Sequence, residues 1–85
     1  MPPGRRIKPK SPDLRALGEA IEELRGEESL THEAMAEKLD MSFQRISELE
    51  RGISNPTFLT LLRVVDGLDV KLSDLAERID RHRAP

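Results

Sequence analysis

Residues 31–52 read THEAMAEKLDMSFQRISELERG, and this stretch contains two candidate helix starts. Thr31 and Ser42 are each suited to cap a helix, because a Ser or Thr hydroxyl accepts a hydrogen bond from a backbone N–H of the first turn. Apolar residues recur three or four positions apart after each cap, and Gly52 is placed to end the second helix in a left-handed conformation. The stretch therefore predicts two short helices, over 32–39 and 43–51, joined by a tight turn.

A longer helix is predicted before this pair. Residues 11–13, Ser-Pro-Asp, supply a cap, a proline at the first helical position and an acid in the first turn, which together are typical of a helix start. Apolar residues follow at helical spacing from Leu14 to Leu24, and Gly26 is expected to end the helix. The opposite face is expected to be solvated, and it carries Glu19, Glu22, Glu23, Glu27 and Glu28.

Two more helices are predicted after the short pair. Thr57 can cap the segment FLTLLRVVDGL, in which seven of eleven residues are apolar and surround the helix too widely for one face. This fourth helix is therefore expected to be central. Ser73 can cap a last helix over 74–83. The sequence thus predicts an all-α fold of five helices without strands.

The composition excludes several classes of function. The chain has no cysteine, so disulfides, thiolate metal sites and a cysteine nucleophile are excluded, and His32 and His82 are too far apart in sequence to indicate a metal site. No cofactor is expected, and no enzyme, because no nucleophile, base and orienting group converge in the pattern. No apolar run approaches the roughly 20 residues that span a bilayer, and the N-terminus has no secretory segment. We expect a soluble, cytoplasmic protein.

The stretch 31–52 closely resembles the Cro/CI-type (XRE) helix-turn-helix family. The resemblance extends to residues 17–25, 55–70 and 72–75, and it implies a five-helix lambda-repressor-like domain that binds double-stranded DNA. The positions that match the family pattern are Thr31, His32, Ala36, Met41, Ser42, Ile46, Glu50, Arg51 and Gly52.

The resemblance implies that the second short helix is the recognition helix, which lies in the major groove. Gln44 and Arg45 are then the best candidates to read bases, since Gln can pair bidentately with adenine and Arg with guanine. Ser47 and Glu48 are either further base contacts or bystanders. The family often has a glutamine at the first position of this helix that bonds to a glutamine opening the preceding helix, and this chain has Phe43 and His32 in their place. Phe43 is expected either to contact a thymine methyl group or to fold back onto the domain.

Other residues are expected to bind phosphate or to hold the recognition helix. Helix ends attract anions, and the candidates there are Thr31, His32, Ser42 and Arg51. Arg25 and Glu50 match family positions where an arginine of the first helix pairs with the glutamate that ends the recognition helix. Asp40 and Asp69 stand where the family commonly has a left-handed glycine, a conformation that Asp tolerates better than most residues.

The charge of the chain is unevenly distributed. The net charge is −2, yet residues 1–12 carry four basic residues, four prolines and no acid, leaving ten basic and all sixteen acidic residues for positions 13–85, a net −6. We therefore predict a disordered basic arm over 1–12 and one domain over 13–83. The arm either reaches DNA, with Arg5 and Arg6 on phosphates, or is a solubilising tail.

One recognition helix touches too few base pairs for useful specificity, so a homodimer on a palindromic operator is expected, acting as a repressor. The surplus apolar residues of the last two helices are the predicted dimer interface: Phe58, Leu59, Leu62, Leu75 and Ile79. The alternative is a protein-interaction module of the same fold, such as an antitoxin or a regulator's partner, which the acidity of residues 13–85 favours.

Overall fold

The computed structural model describes residues 11–83, and these form five α-helices with no strand among them. The helices are α1 (Pro12–Glu27), α2 (His32–Leu39), α3 (Phe43–Glu50), α4 (Phe58–Gly67) and α5 (Leu72–Arg83). The predicted all-α, five-helix fold class is confirmed. Most of the predicted basic arm, including Arg5 and Arg6, lies outside the described residues. No helix within residues 11–83 is both long enough and apolar enough to cross a bilayer.

Four helices begin at the predicted capping residues. In each, the hydroxyl accepts a hydrogen bond from the backbone N–H three residues on: Ser11 from Leu14, Thr31 from Ala34, Ser42 from Arg45 and Thr57 from Thr60, at 3.0 to 3.1 Å. The predicted cap of the last helix is wrong. α5 begins at Leu72 instead, and the backbone N–H of Lys71 donates to Asp74 Oδ2 at 3.2 Å, so Ser73 lies within the first turn.

Left-handed residues separate the helices. Gly52 has a φ of 73°, and Asp40 and Asp69 have φ values of 53° and 57°, as the sequence predicted for all three. The end of α1 was predicted one residue too early, because the helix continues through Gly26 to Glu27. The reversal that follows is made by Ser29, whose φ is 55°. A serine does not indicate a positive φ in the way that a glycine does, so the sequence did not predict this reversal.

Helix α1 is the centre of the molecule, and α4 is not. α1 packs mainly against α5 and α3, and its residues from Leu17 to Leu24 join a core completed by Met35, Leu39, Ile46, Leu49, Val64, Val65, Leu68 and Leu75. The prediction of a central α4 is therefore wrong. Only its C-terminal half is buried, while Phe58 and Leu59 are 59% and 75% exposed, because no other described element covers its first turn.

A glycine lets α1 and α3 approach closely. Gly18 is buried on α1, and a Cβ atom added there would lie 2.7 Å from the carbonyl oxygen of Leu49 and closer still to that of Glu50. Both obstacles are backbone atoms, which cannot rotate away. Gly18 therefore sets the separation between α1 and the end of the predicted recognition helix, a role that the sequence analysis did not assign.

The acidic face of α1 is partly covered by α5. Glu27 accepts two hydrogen bonds from Arg78, at 2.5 and 2.9 Å, and Glu23 accepts one from His82 Nε2 at 2.7 Å. The expectation that these glutamates are simply solvated is therefore wrong for Glu23, which is half-buried, whereas Glu27 stays exposed although it pairs with Arg78. Burial raises the pKa of Glu23, but the hydrogen bond and charge of His82, with help from Arg78 and Arg81, outweigh it and lower the pKa overall. The hydrogen bond to Glu27 raises the pKa of Arg78.

Candidate nucleic-acid interface

The turn between α2 and α3 fixes which side of α3 faces outward. The backbone N–H of Met41 donates to the carbonyl of Ala36 at 2.9 Å, and the left-handed Asp40 makes the reversal possible. Ile46 and Leu49 of α3 are buried in the core. Because helical residues three apart share a face, burying these two leaves the other side of α3 for contacts with a ligand.

The residues predicted to read bases are all at least partly accessible on α3. Phe43, Gln44 and Arg45 are exposed, whereas Ser47 and Glu48 are half-buried. Gln44 Nε2 donates to Glu48 Oε2 at 3.3 Å, and Arg45 Nη2 donates to Thr60 Oγ1 of α4, also at 3.3 Å. Both bonds are long and exposed, so Gln44 and Arg45 can exchange them for other partners at small cost.

The inner side of α3 ends in a nearly buried carboxylate. The side chain of Glu50 is 4% exposed, and its two oxygens accept hydrogen bonds from Arg25 Nε at 2.7 Å and Arg25 Nη2 at 3.1 Å. Arg25 Nη1 also donates to the carbonyl of Leu30 at 2.8 Å. The hydrogen bond to Glu50 raises the pKa of Arg25 despite the opposing effect of burial. The structure thus brings together the two residues that the resemblance pairs.

His32 is engaged by the same carboxylate. A carboxylate only accepts hydrogen bonds, so Nε2 of His32 carries the proton and donates to Glu50 Oε1 at 2.8 Å. The His32 ring also meets the Phe43 ring edge to face, with centroids 5.5 Å apart and planes at 85°. His32 was expected to bind phosphate; with Nε2 used by Glu50, its Nδ1 can donate to a phosphate oxygen only when both ring nitrogens carry protons. His32 and Phe43, which stand where the family often has a pair of glutamines, thus contact each other through their rings.

The remaining predicted phosphate contacts occupy helix ends. Thr31 and Ser42 are exposed at the starts of α2 and α3, and Arg51 is exposed as the C-terminal cap of α3. Arg5 and Arg6 lie outside the described residues. Within residues 11–83, no group of three or more histidine or acidic side chains is arranged to hold a metal ion.

The predicted dimer interface is only partly available. Phe58 and Leu59 are exposed on α4, Leu62 is half-buried, and Leu59 and Leu62 line a shallow groove that also includes Leu39. Leu75 must be removed from this interface, because it is fully buried at 0% exposure and packs in the core. The remaining candidate, Ile79, is half-buried against the core, and Leu72, which the sequence analysis did not select, is exposed.

Comparisons with known proteins identify the family. The family described as Helix-turn-helix matches residues 21–75. The HTH-type transcriptional regulator y4dJ of Sinorhizobium fredii is 38% identical over 69 residues, which are 80% of this chain and 90% of that protein. The clp gene regulator ClgR of C. glutamicum is 26% identical with a TM-score of 0.81, over 94% of this chain and 100% of the other.

A restriction-modification controller protein, C.Esp1396I, solved as a tetramer in complex with its natural 35 base-pair operator, is 27% identical with a TM-score of 0.80. The match covers 87% of this chain and 97% of the controller protein. The family match spans more than half of this chain, and the curated relative exceeds 30% identity over most of both proteins. The chain therefore belongs to the XRE (Cro/CI) type of helix-turn-helix DNA-binding transcriptional regulators.

Proposed function

We propose that this protein binds a palindromic operator in double-stranded DNA as a homodimer and represses transcription from it. The observation that carries the proposal is the two-sided character of α3. Its outer side presents exposed Gln44 and Arg45, while its inner side is fixed by the burial of Ile46 and Leu49 and by the ion pair of Glu50. A rigid helix with hydrogen-bonding side chains facing out is what direct readout in the major groove requires.

The contacts divide into two kinds. Gln44 and Arg45 are the main base readers, and Phe43, Ser47 and Glu48 contribute at neighbouring positions. Thr31, Ser42 and Arg51 bind phosphates, because helix ends and cations position a protein on the DNA backbone without reading sequence. His32 adds a phosphate contact in its doubly protonated form, in which Nδ1 is also a donor. Arg5 and Arg6 of the N-terminal segment add further phosphate contacts.

The homodimer is proposed because one recognition helix supplies too little specificity alone. Phe58, Leu59 and Leu62 are the apolar residues available for it, with Ile79 at the margin. Exposed apolar side chains of this size are costly in water unless a partner covers them. In a two-fold dimer the two α3 helices would lie about 34 Å apart, one turn of DNA.

A protein-interaction module of the same fold is the second candidate. It is favoured by the acidity of positions 13–85, which carry a net charge of −6 where phosphate binding requires cations. The exposed Gln44 and Arg45 of α3 weigh against it, since these side-chain types suit the hydrogen-bonding pattern of base edges.

The deciding experiment is selection of duplexes from a random-sequence DNA pool with the wild-type chain. The matched control is the double variant Gln44→Ala and Arg45→Ala, which changes only exposed side chains. We expect the wild type to enrich an inverted repeat with half-site centres about 10 base pairs apart, and the control to enrich none. If the wild type enriches no sequence over unselected duplex, the DNA-binding proposal is wrong and the interaction module takes its place.

A further inference from the structure

A partly exposed aromatic ring lies at the start of α3. Among the large apolar side chains that are exposed in residues 11–83, Phe43 alone lies on α2 or α3. It is 49% exposed and is the first residue of α3, directly before Gln44 and Arg45. Part of the phenylalanine side chain is therefore accessible at the N-terminal end of the proposed recognition helix, where its burial against an apolar group would be favourable.

This ring is held by a series of contacts that reaches the interior. His32 packs edge to face on Phe43, an arrangement that aromatic pairs favour. His32 is in turn held by the 2.8 Å hydrogen bond from its Nε2 to Glu50, whose other partner is Arg25 of α1. Because the Glu50 side chain is nearly buried, these contacts connect the exposed Phe43 ring to the packed interior of the domain. A side chain that binds a ligand needs support of this kind, because packing and hydrogen bonds must hold it near the productive geometry.

Only one group on the base edges of the major groove is apolar. It is the methyl group at C5 of thymine, and 5-methylcytosine carries the same group at the same position, whereas the other major-groove features are hydrogen-bond donors and acceptors. Phe43 has no hydrogen-bonding atom, so its exposed face matches this methyl group and none of the polar features.

We propose that Phe43, positioned by His32, reads the 5-methyl group of a pyrimidine at one position of each half-site, so that this protein distinguishes thymine from uracil and 5-methylcytosine from cytosine. Phe43 touches the base, and His32 acts through Phe43 as a positioning residue. The inference rests on the proposed DNA binding and adds the chemical group that is recognised, together with a sensitivity of binding to cytosine methylation.

The test uses the duplex enriched by selection. Each thymine is replaced in turn by uracil, which removes only the methyl group, and affinity is measured by fluorescence anisotropy. At one thymine per half-site we expect about fourfold weaker binding, the factor that corresponds to about 0.8 kcal/mol for burying one methylene-sized group. A second series places cytosine or 5-methylcytosine at the same position, and the methylated base should bind more tightly by a similar factor. Equal affinities throughout both series would overturn the proposal.

Two variants identify the residues responsible. Phe43→Ala should reduce the thymine-to-uracil ratio at that position to about one, and leave discrimination unchanged where Gln44 and Arg45 read. His32→Gln retains a donor for Glu50 but removes the aromatic edge, so its ratio should fall between those of wild type and Phe43→Ala. A wild-type ratio in Phe43→Ala would overturn the reading of the methyl group, and a wild-type ratio in His32→Gln would overturn the positioning role.

The ratio of two affinities cancels general weakening of binding, so partial loss of a phosphate contact at His32 does not affect the outcome. Failure of the proposed DNA binding and failure of the Phe43 inference also give different results. If selection enriches no duplex, DNA binding itself is wrong and the inference falls with it. If a duplex is enriched and bound but no thymine responds to uracil, only the inference about Phe43 is wrong.

Discussion

The guanidinium of Arg25 donates two hydrogen bonds to the carboxylate of Glu50, from Nε to Oε2 at 2.7 Å and from Nη2 to Oε1 at 3.1 Å. The partners lie 25 residues apart in sequence, one on α1 and one at the end of α3. A carboxylate withdrawn from water is costly unless its charge is paired and hydrogen-bonded. The pair therefore ties the orientation of the recognition helix to the central helix of the domain.

Replacing Arg25 by alanine should strongly destabilise the fold. It leaves the carboxylate of Glu50 nearly buried, with only His32 beside it, so the free energy of unfolding should fall by about 3 kcal/mol, the lower end of the effect of breaking a buried pair. The control is Arg15→Ala, also on α1, which breaks an exposed pair with Glu19 at 3.4 Å and should cost less than about 1 kcal/mol. Urea unfolding followed by circular dichroism compares them, and similar losses would contradict the structural role of Arg25.

Two glycines of α1 should respond in opposite directions to the same change. In Gly18→Ala the new Cβ meets the backbone of Leu49 and Glu50, so the free energy of unfolding should fall by about 1–3 kcal/mol as the helices are forced apart. In Gly26→Ala the Cβ meets nothing within 4 Å, and alanine should stabilise the helix by about 0.5–1 kcal/mol. Thermal unfolding measures both. A neutral Gly18→Ala would mean that α1 and α3 do not approach as closely as described.

Local sequence signals account for most of the fold. The hydroxyl caps at Ser11, Thr31, Ser42 and Thr57 and the spacing of apolar residues predicted four helix starts, because caps and periodicity act within one or two turns. The burial of a side chain was predicted wrongly where it depends on which other helices pack against its segment. Phe58 looked as apolar as Leu75, yet only Leu75 is covered by other helices, and burial is a property of the tertiary arrangement.

At the candidate site, too, the family pattern predicted some contacts, and those that depend on tertiary packing were not predicted. The resemblance supplied the pairing of Arg25 with Glu50 and the outward face of α3, because both belong to the family pattern. The contact of His32 with Phe43, and the approach of Glu23 to His82, each join residues from different helices. The spacing of residues along the sequence does not predict contacts between helices. The replacement of both glutamines of the family pair, by His32 and Phe43, was nevertheless a signal that these two residues could be in contact.

Acidity should weaken the contact between α1 and α5. Burial raises the pKa of Glu23, but His82, Arg78 and Arg81 lower it further than burial raises it. The folded-state pKa thus lies below the unfolded value of about 4.3, so Glu23 stabilises the fold above that pH and loses this contribution as the pH falls through its folded pKa. Glu23→Gln should be less stable near neutral pH and show a shallower decline in acid. Unfolding titrations across pH measure this, with exposed Glu33→Gln as the control, and parallel curves for Glu23→Gln and wild type would contradict it.

Dimerisation and folding should depend on different leucines. Leu59 is largely exposed and Leu75 is fully buried, so Leu59→Asp should change the free energy of unfolding of the monomer by less than about 0.5 kcal/mol and yet abolish the dimer. Leu75→Ala should cost about 2–5 kcal/mol through loss of core packing. Light scattering gives the oligomeric state and urea unfolding the stability. A dimer that survives Leu59→Asp would place the interface elsewhere.

Base and phosphate contacts should differ in their dependence on sequence and salt. Gln44→Ala and Arg45→Ala should each cost about 1–3 kcal/mol of binding free energy, and each should relax preference at particular operator positions. Arg51→Ala should instead weaken binding to all sequences alike and reduce the slope of log affinity against log salt by about 0.9, since one fewer phosphate is neutralised. Arg81→Ala on α5 removes the same charge away from α2 and α3 and should leave the slope unchanged. Binding titrations over a range of salt concentrations on the selected duplex and an unrelated one separate these effects. If Gln44→Ala and Arg51→Ala change affinity, preference and slope in the same way, the outer side of α3 does not read bases, because a residue that reads a base edge must respond to the sequence of the DNA.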